Sequence, residues 1–251
     1  MDEHAVGLVL AGGLGTRMQP SQPATPKPLV EVGGVPLLEF ALRRLCAAGV
    51  REVHVAVRHE AARIAEFLAD LAPGLRLDRL EIIREDQPLG TIGAAYFLRE
   101  ERRTVLAVNA DLVSAIDLGL LLCHHREHEA QLTIATHDEH HRLRLGEVVV
   151  AADGRVIDYL EKPVKSWRIS SGTYAMEREV LQLIERPEWL AFPSLVRRAL
   201  EAGLRVSEEH HADPWIDVND AADLERANQL VAADPAAFGL EPRTPGALEL
   251  P

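Results

Sequence analysis

Apolar and polar positions follow two rhythms along this chain, and the rhythm changes near residue 131. Before that point, short apolar runs at residues 6–10, 52–57, 81–84 and 104–108 have strand length. Between them, residues 36–48, 59–71, 90–100 and 116–129 carry helical spacing. Such alternation predicts an α/β fold with a mostly parallel sheet and helices on both faces. Pro36 suits a helix start and Gly49 a left-handed helix stop. After residue 131, strands at 133–136, 147–150, 155–160 and 172–176 are joined by turns, with Asp153-Gly154 as a hairpin signal. This predicts an antiparallel extension of the sheet. Helical spacing returns at 177–184, 194–202 and 221–232, with a strand at 204–207. The tail from Asp234 holds four of the fifteen prolines and no periodicity, so residues 1–233 read as one domain and 234–251 as a loosely packed tail.

Composition narrows the function. With 251 residues, 47% of them hydrophobic, the chain can bury a substantial core. It holds no run of eighteen apolar residues, and Met1-Asp2-Glu3-His4 is acidic, so neither a membrane span nor a secretory signal is expected and the reading is cytoplasmic. Cys46 and Cys123 lie in leucine-rich helical patterns and read as small buried hydrophobes. The net charge of −12 argues against a nucleic-acid partner, because duplex binding needs many cations on phosphate. An anionic ligand therefore needs local cations or a metal. Only three of the 27 cationic residues are lysines, Lys27, Lys162 and Lys165, so each is a candidate for chemistry that arginine serves less well.

Candidate chemistry begins after the first strand. Gly12, Gly13 and Gly15 follow the run ending Leu10-Ala11 and allow backbone N–H groups to turn toward an anion, while Arg17 and Lys27 supply mobile positive charge. The loop lacks the Gly-Lys-Ser/Thr of a Walker A motif, and Met18 stands where a dinucleotide fingerprint needs glycine or alanine. Asn109-Ala110-Asp111 ends an apolar strand, where open α/β sheets collect ligands, and an aspartate there suits Mg²⁺ or a turn. Asp217, flanked by Trp215, Ile216 and Val218, is a half-buried acid that needs a partner, and Asp220 is better placed to cap the next helix. Glu161-Lys162 pairs a hydroxyl acceptor with a cation at a strand end. Pro88-Leu89-Gly90-Thr91 opens a helix with small groups. His124, His125 and His128, followed by His137, His140 and His141 in the next connection, read as a solvated surface cluster, since no closed zinc shell is evident.

In combination these blocks resemble the sugar-1-phosphate nucleotidylyltransferases. The resemblance rests on Leu10 to Arg17, Pro26-Lys27-Pro28, Pro88 to Thr91, Asn109 to Asp111, Glu161-Lys162-Pro163, Ser171 to Tyr174 and Trp215 to Asp217, spanning roughly residues 5–230. It implies a Rossmann-like, GT-A-type core that joins a nucleoside triphosphate to a sugar 1-phosphate, with a nucleotide-binding part near residues 5–115 and a sugar-binding part near 116–233. By matching positions it gives Arg17 the leaving phosphates and Lys27 the α-phosphate, with Mg²⁺ between Asp111 and Asp217. Leu10, Ala11, Gly12, Gly13, Gly15, Thr16, Gln87, Pro88, Gly90 and Thr91 would line the nucleotide. Lys162 would hold the sugar phosphate, Glu161 and Asn109 the sugar hydroxyls, and Gly146 and Gly172 would let the sugar approach closely.

The stretch Val32-Gly33-Gly34-Val35-Pro36-Leu37-Leu38 looks most like single-domain mannose- or heptose-1-phosphate guanylyltransferases, with UTP- or dTTP-dependent glucose-1-phosphate enzymes as the alternative. Homo-oligomerisation stays open. The chain departs from the family pattern at Ala110, where glycine is usual, at Asp217-Val218-Asn219-Asp220 and at Ser171-Gly172-Thr173-Tyr174. Those departures motivate a rival reading as a non-catalytic nucleotide-sugar sensor, which would bind nucleotide and release no pyrophosphate.

Overall fold

The computed structural model describes residues 5–13 and 25–240, so Gly15, Thr16, Arg17 and Met18 lie outside the described residues. The first half runs β1 (Val6–Ala11), β2 (Glu31–Val32), β3 (Val35–Pro36), α1 (Leu37–Ala47), β4 (Glu52–Val57), α2 (Ala61–Leu71), β5 (Arg79–Arg84), β6 (Val105–Asn109), β7 (Leu112–Ser114) and α3 (Leu118–Glu127). The second runs β8 (Leu132–Arg142), β9 (Glu147–Val150), β10 (Val156–Leu160), β11 (Val164–Met176), α4 (Arg178–Leu181), α5 (Phe192–Glu201), β12 (Val206–His210), β13 (Trp215–Asp217) and α6 (Ala221–Ala233).

Seven strands make one sheet in the order β12-β8-β11-β6-β1-β4-β5. Its pairs are parallel except those of β11, which runs antiparallel to both β6 and β8. The mixed, mostly parallel sheet expected from the alternation is present. Strand β1 shows why the run is uniformly apolar: Val9 and Ala11, with Ala5 just before the strand, enter the core beneath α1, α2 and α3, while Val6 and Leu8 enter the core beneath α5. A strand covered on both faces has no polar side to show. Helix α1 supplies Leu38, Leu42 and Leu45 to the first core and ends as Gly49 predicts, with Gly49 N–H donating to Cys46 O and Val50 N–H to Leu45 O.

Several local expectations yield to tertiary pairing. The 90–100 helix is instead a 3-10 segment over Gly93–Leu98, because Thr91 and Ile92 donate their N–H groups to Leu190 O across the molecule. The 177–184 helix contracts to the four residues of α4, and Leu183 and Ile184 continue in i−3 bonds. Helix α3 starts at Leu118 because the Asp117 carboxylate caps it, accepting from Gly119 and Leu120 N–H. Strands β8 and β11 outrun their predicted lengths and pair as a ribbon from Thr136 and Ser170 out to Arg142 and Val164. That ribbon carries His137, His140 and His141, which therefore lie on a strand. Beyond it, β9 and β10 form the expected hairpin around Asp153-Gly154.

Side-chain expectations change too. On α3 the buried stripe is Leu118, Leu121, Leu122 and His125, so Cys123 falls on the outer face, where its thiol donates to Glu127 at 3.2 Å. Cys46 is half-buried. His125 is not a surface residue: it is 1% exposed and bonds Thr133 Oγ1 at 2.7 Å and Glu177 Oε1 at 3.0 Å. The tail is not loose at its start, since Phe238 is buried edge-on against Phe40, in a third core shared with β2 and α6.

Candidate functional site

Two three-residue strands build the centre of the site. Strand β13 pairs antiparallel with β7, Asp217 opposite Leu112, and Val218 N–H donates to Asp111 O at 3.0 Å. This register sets the Asp111 and Asp217 carboxylates beside each other from strand ends far apart in the chain. Lys27, in the 3-10 turn Lys27–Leu29, reaches them from the loop side. Its ammonium donates to Asp111 Oδ2 at 2.6 Å and to Asn219 Oδ1 at 3.1 Å, with the lysine side chain only 11% exposed.

Among the described residues one cation thus serves two carboxylates, and Asp217 Oδ1 is buried with no hydrogen-bond partner. Burial and the adjacent Asp111 charge push the Asp217 carboxyl above its ordinary pKa, against the Asn219 hydrogen bond and the Lys27 charge that lower it. An orphaned carboxylate oxygen next to a second carboxylate is a place for another positive charge. Among the described residues no group of three or more His, Cys, Asp or Glu forms a metal cage. A two-carboxylate site nevertheless fits Mg²⁺, which takes one or two carboxylates and fills its other positions with water and phosphate.

Asp217 and Asn219 open onto a cavity of about 930 Å³, whose wall also includes Asn109, Gly172, His137 and Trp215. Gly172 has φ +68°, and a Cβ there would lie 2.7 Å from Asn109 Nδ2. The glycine therefore serves both a left-handed turn and the seating of Asn109. Gly172→Ala is expected to cost about 1–2 kcal/mol, from the left-handed strain and the displaced amide, read as a lower Tm. Ala110 needs no glycine: it is 3% exposed in the first core and donates its N–H to Leu10 O at 3.1 Å.

On the loop side, Leu10 and Ala11 close β1, and Gly12 lies against Glu85, whose carboxylate a Cβ on Gly12 would strike. Glu85 is 8% exposed, and burial raises its pKa, opposed by the Leu89 N–H and the Arg58 charge. A Cβ on Gly13 would meet nothing within 4 Å. Gln87 Nε2 donates to Pro187 O at 3.1 Å, and Thr91 Oγ1 accepts from Phe192 N–H at 2.8 Å. Pro88 is exposed, and Gly90, at φ +74°, presses against Leu190 O. Thr91 also lines the cavity.

Other sequence candidates stand apart. Gly146 opens β9 and packs against the Tyr159 phenol, while Glu161 and Lys162 follow β10. The Lys162 ammonium lies 3.6 Å from Glu161 Oε1, with the two side chains 56% and 65% exposed, and neither residue is in the cavity wall. Lys165 is occupied by Glu147 at 2.6 Å, an ion pair tying β11 to β9. Sequence reading missed Glu85, Asn219 and His137. Glu85 carried no motif signal beyond its place ahead of Pro88, and Asn219 was overshadowed by the capping Asp220, which does accept from Asp223 N–H.

Comparison with known proteins completes the description. A family model described as nucleotidyl transferase matches residues 6–234. Mannose-1-phosphate guanylyltransferase of Mycobacterium tuberculosis is 30% identical over 254 residues, covering 95% of this chain and 69% of its own length. The mannose-1-phosphate guanylyltransferase catalytic subunit beta of Drosophila pseudoobscura pseudoobscura is 30% identical over 227 residues, covering 86% of this chain and 60% of its own. The fold matches a putative glucose-1-phosphate thymidylyltransferase from Bacillus anthracis, with TM-score 0.73, 20% identity and coverage of 94% of this chain and 100% of that one. HddC from Yersinia pseudotuberculosis complexed with GMP-PN gives TM-score 0.69 at 22% identity, covering 90% and 98%. No helix among the described residues is long and apolar enough to cross a membrane.

Proposed function

Since this chain belongs to the nucleotidyl transferase family, we propose that it transfers a nucleoside monophosphate from a nucleoside triphosphate to a sugar 1-phosphate, releasing pyrophosphate. The observation that carries this reading is the Lys27, Asp111 and Asp217 cluster, one positive charge short among the described residues, whose Asp217 opens onto a cavity large enough for a sugar phosphate. A sugar-phosphate oxygen attacks the α-phosphorus in line and the bond to the β-phosphate oxygen breaks. The protein forms no bond of its own, so positioning and charge neutralisation carry the rate. Asp111 and Asp217 would hold Mg²⁺, which when bound neutralises phosphate oxygens. Lys27 meets the α-phosphate oxygens, and Asn219 and Asp111 keep its ammonium in place until they do. Arg17 holds the leaving phosphates. Asn109, seated against Gly172, receives the sugar, and Lys162 with Glu161 meets it from the β9–β10 side.

GTP and a mannose-type sugar are the favoured pair. The two relatives described above are named for that reaction, and Glu85 adds a chemical reason. Guanine presents two adjacent N–H donors on one edge, and an ionised carboxylate beside the loop backbone accepts both. Uracil and thymine offer a single donor there. The test is pyrophosphate release with Mg²⁺ across GTP, UTP, dTTP and ATP, each with mannose 1-phosphate or glucose 1-phosphate. GTP with mannose 1-phosphate should be fastest. Glu85→Gln should cut kcat/KM for GTP by about 10²-fold with the sugar KM held, because a buried acceptor becomes a mismatched donor. Nucleotide binding without pyrophosphate from any pair would instead establish a sensor.

A further inference from the structure

The cavity wall opposite Asp217 holds a buried chain of polar groups that the proposed chemistry leaves unused. Strand β11 breaks register with β8 between Ser170 and Tyr174, and this irregularity turns Ser171 inward beside Gly172. Ser171 is fully buried, and its hydroxyl meets His137 Nδ1 at 2.9 Å and His211 Nε2 at 2.7 Å. Trp215 donates its indole N–H to Ser171 O at 2.9 Å and lies over the His137 ring with centroids 4.3 Å apart. Burial pushes His211 down to about 4, so at neutral pH it is an uncharged link that holds Ser171 in place. The His137 ring is thus gripped on one nitrogen and one face.

Its other nitrogen has no partner among the described residues. His137 Nε2 is buried there without a hydrogen bond, and Glu139 Oε1 is 3.8 Å away, beyond bonding distance. His137 and Glu139 alternate onto the same face of β8, and both line the cavity. Glu139 is 41% exposed and also bonds His141 Nε2 at 2.8 Å, so its carboxylate is anchored yet able to turn. A gap of this size between a ring nitrogen and a carboxylate is closed by a group that accepts from one side and donates to the other. A sugar hydroxyl does both.

We infer that His137 and Glu139 form a clamp that reads one hydroxyl of the incoming sugar, the hydroxyl accepting from His137 Nε2–H and donating to the Glu139 carboxylate. The clamp selects among sugar 1-phosphates. Ser171, His211 and Trp215 are positioning residues that aim the ring. This inference rests on the sugar-1-phosphate reading of the cavity, and the experiment separates the two.

Mannose 1-phosphate and its monodeoxy analogues are assayed for binding by calorimetry and for turnover, with wild type, His137→Phe and Glu139→Ala. Each variant should lose about tenfold in affinity and in kcat/KM for mannose 1-phosphate, the effect of one buried hydrogen bond, with the KM for GTP unchanged. One monodeoxy analogue should show the same loss with wild type and no further loss with either variant. Glu139→Ala, on a partly exposed side chain, keeps the test valid if the buried His137→Phe misfolds. Unchanged sugar affinity in Glu139→Ala, or losses that add at every deoxy position, would overturn the clamp while leaving the transferase reading intact. Wild type that binds no sugar 1-phosphate would overturn both.

Discussion

Lys27→Ala is expected to lower kcat by about 10³-fold, the scale of removing one charge-stabilising donor, while the KM for the sugar 1-phosphate moves less than about twofold. The reason lies in where the ammonium sits. It is 2.6 Å from Asp111, 3.1 Å from Asn219, which lines the cavity, and 11% exposed. Its charge is desolvated, so it acts more strongly on a developing phosphate charge than an exposed lysine would. The same variant leaves Asp111 and Asp217 facing each other with no cation and should lose stability. Asp111 retains 31% exposure, so the loss should be about 1–2 kcal/mol, below that for a fully buried pair. Lys162→Ala is the control: its exposed side chain should matter for sugar affinity, raising that KM about tenfold with little change in kcat. Steady-state kinetics on both variants check the contrast. Equal, small effects would remove both lysines from their proposed roles.

Asp217→Asn should inactivate the protein and stabilise it together. The Asp217 carboxyl is held above its ordinary pKa by burial and by Asp111, so the fold prefers its protonated form. For an acid whose folded pKa is raised, ionisation opposes folding. The penalty is fully present above the folded pKa and is relieved as the pH falls through the folded pKa to below the unfolded value, where both states are protonated. Asparagine removes the penalty at every pH. The variant should therefore melt higher at pH 7, by about 0.5–2 kcal/mol in stability, and its advantage should shrink on acidification. Activity should drop by about 10²-fold or more, because the second carboxylate proposed to hold Mg²⁺ is gone. Thermal melts of wild type and variant from pH 7 to pH 4, without metal, give the sign. Stability lost at pH 7 would mean that Asp217 is a structural anchor.

These two residues also show how much the chain discloses by itself. The strand before the glycine loop, the helix ending at Gly49 and the Asp220 cap were legible because each depends on neighbours within a few residues. The motif order was legible for the same reason, and it pointed to the family that the comparisons show. His125 and Cys123 were misread because helical spacing marks a stripe, and the exact face was settled by what packed against it. The 3-10 segment over Gly93–Leu98 was misread because the N–H groups of Thr91 and Ile92 just before it are taken by Leu190, a partner that local pattern cannot see.

The sequence alone determined the alternation of the main strands and helices in the first half and singled out Lys27, Asp111 and Asp217 as candidates. Only the tertiary structure decided that Lys27 meets Asp111 across 84 residues and Asn219 across 192. It likewise set Glu85 against Gly12 and gave His137 an unpaired nitrogen in the cavity wall. Periodicity and turn chemistry act over a few residues, whereas these contacts arise when sheet pairing and β11's irregular register bring distant strand ends to one side of the molecule.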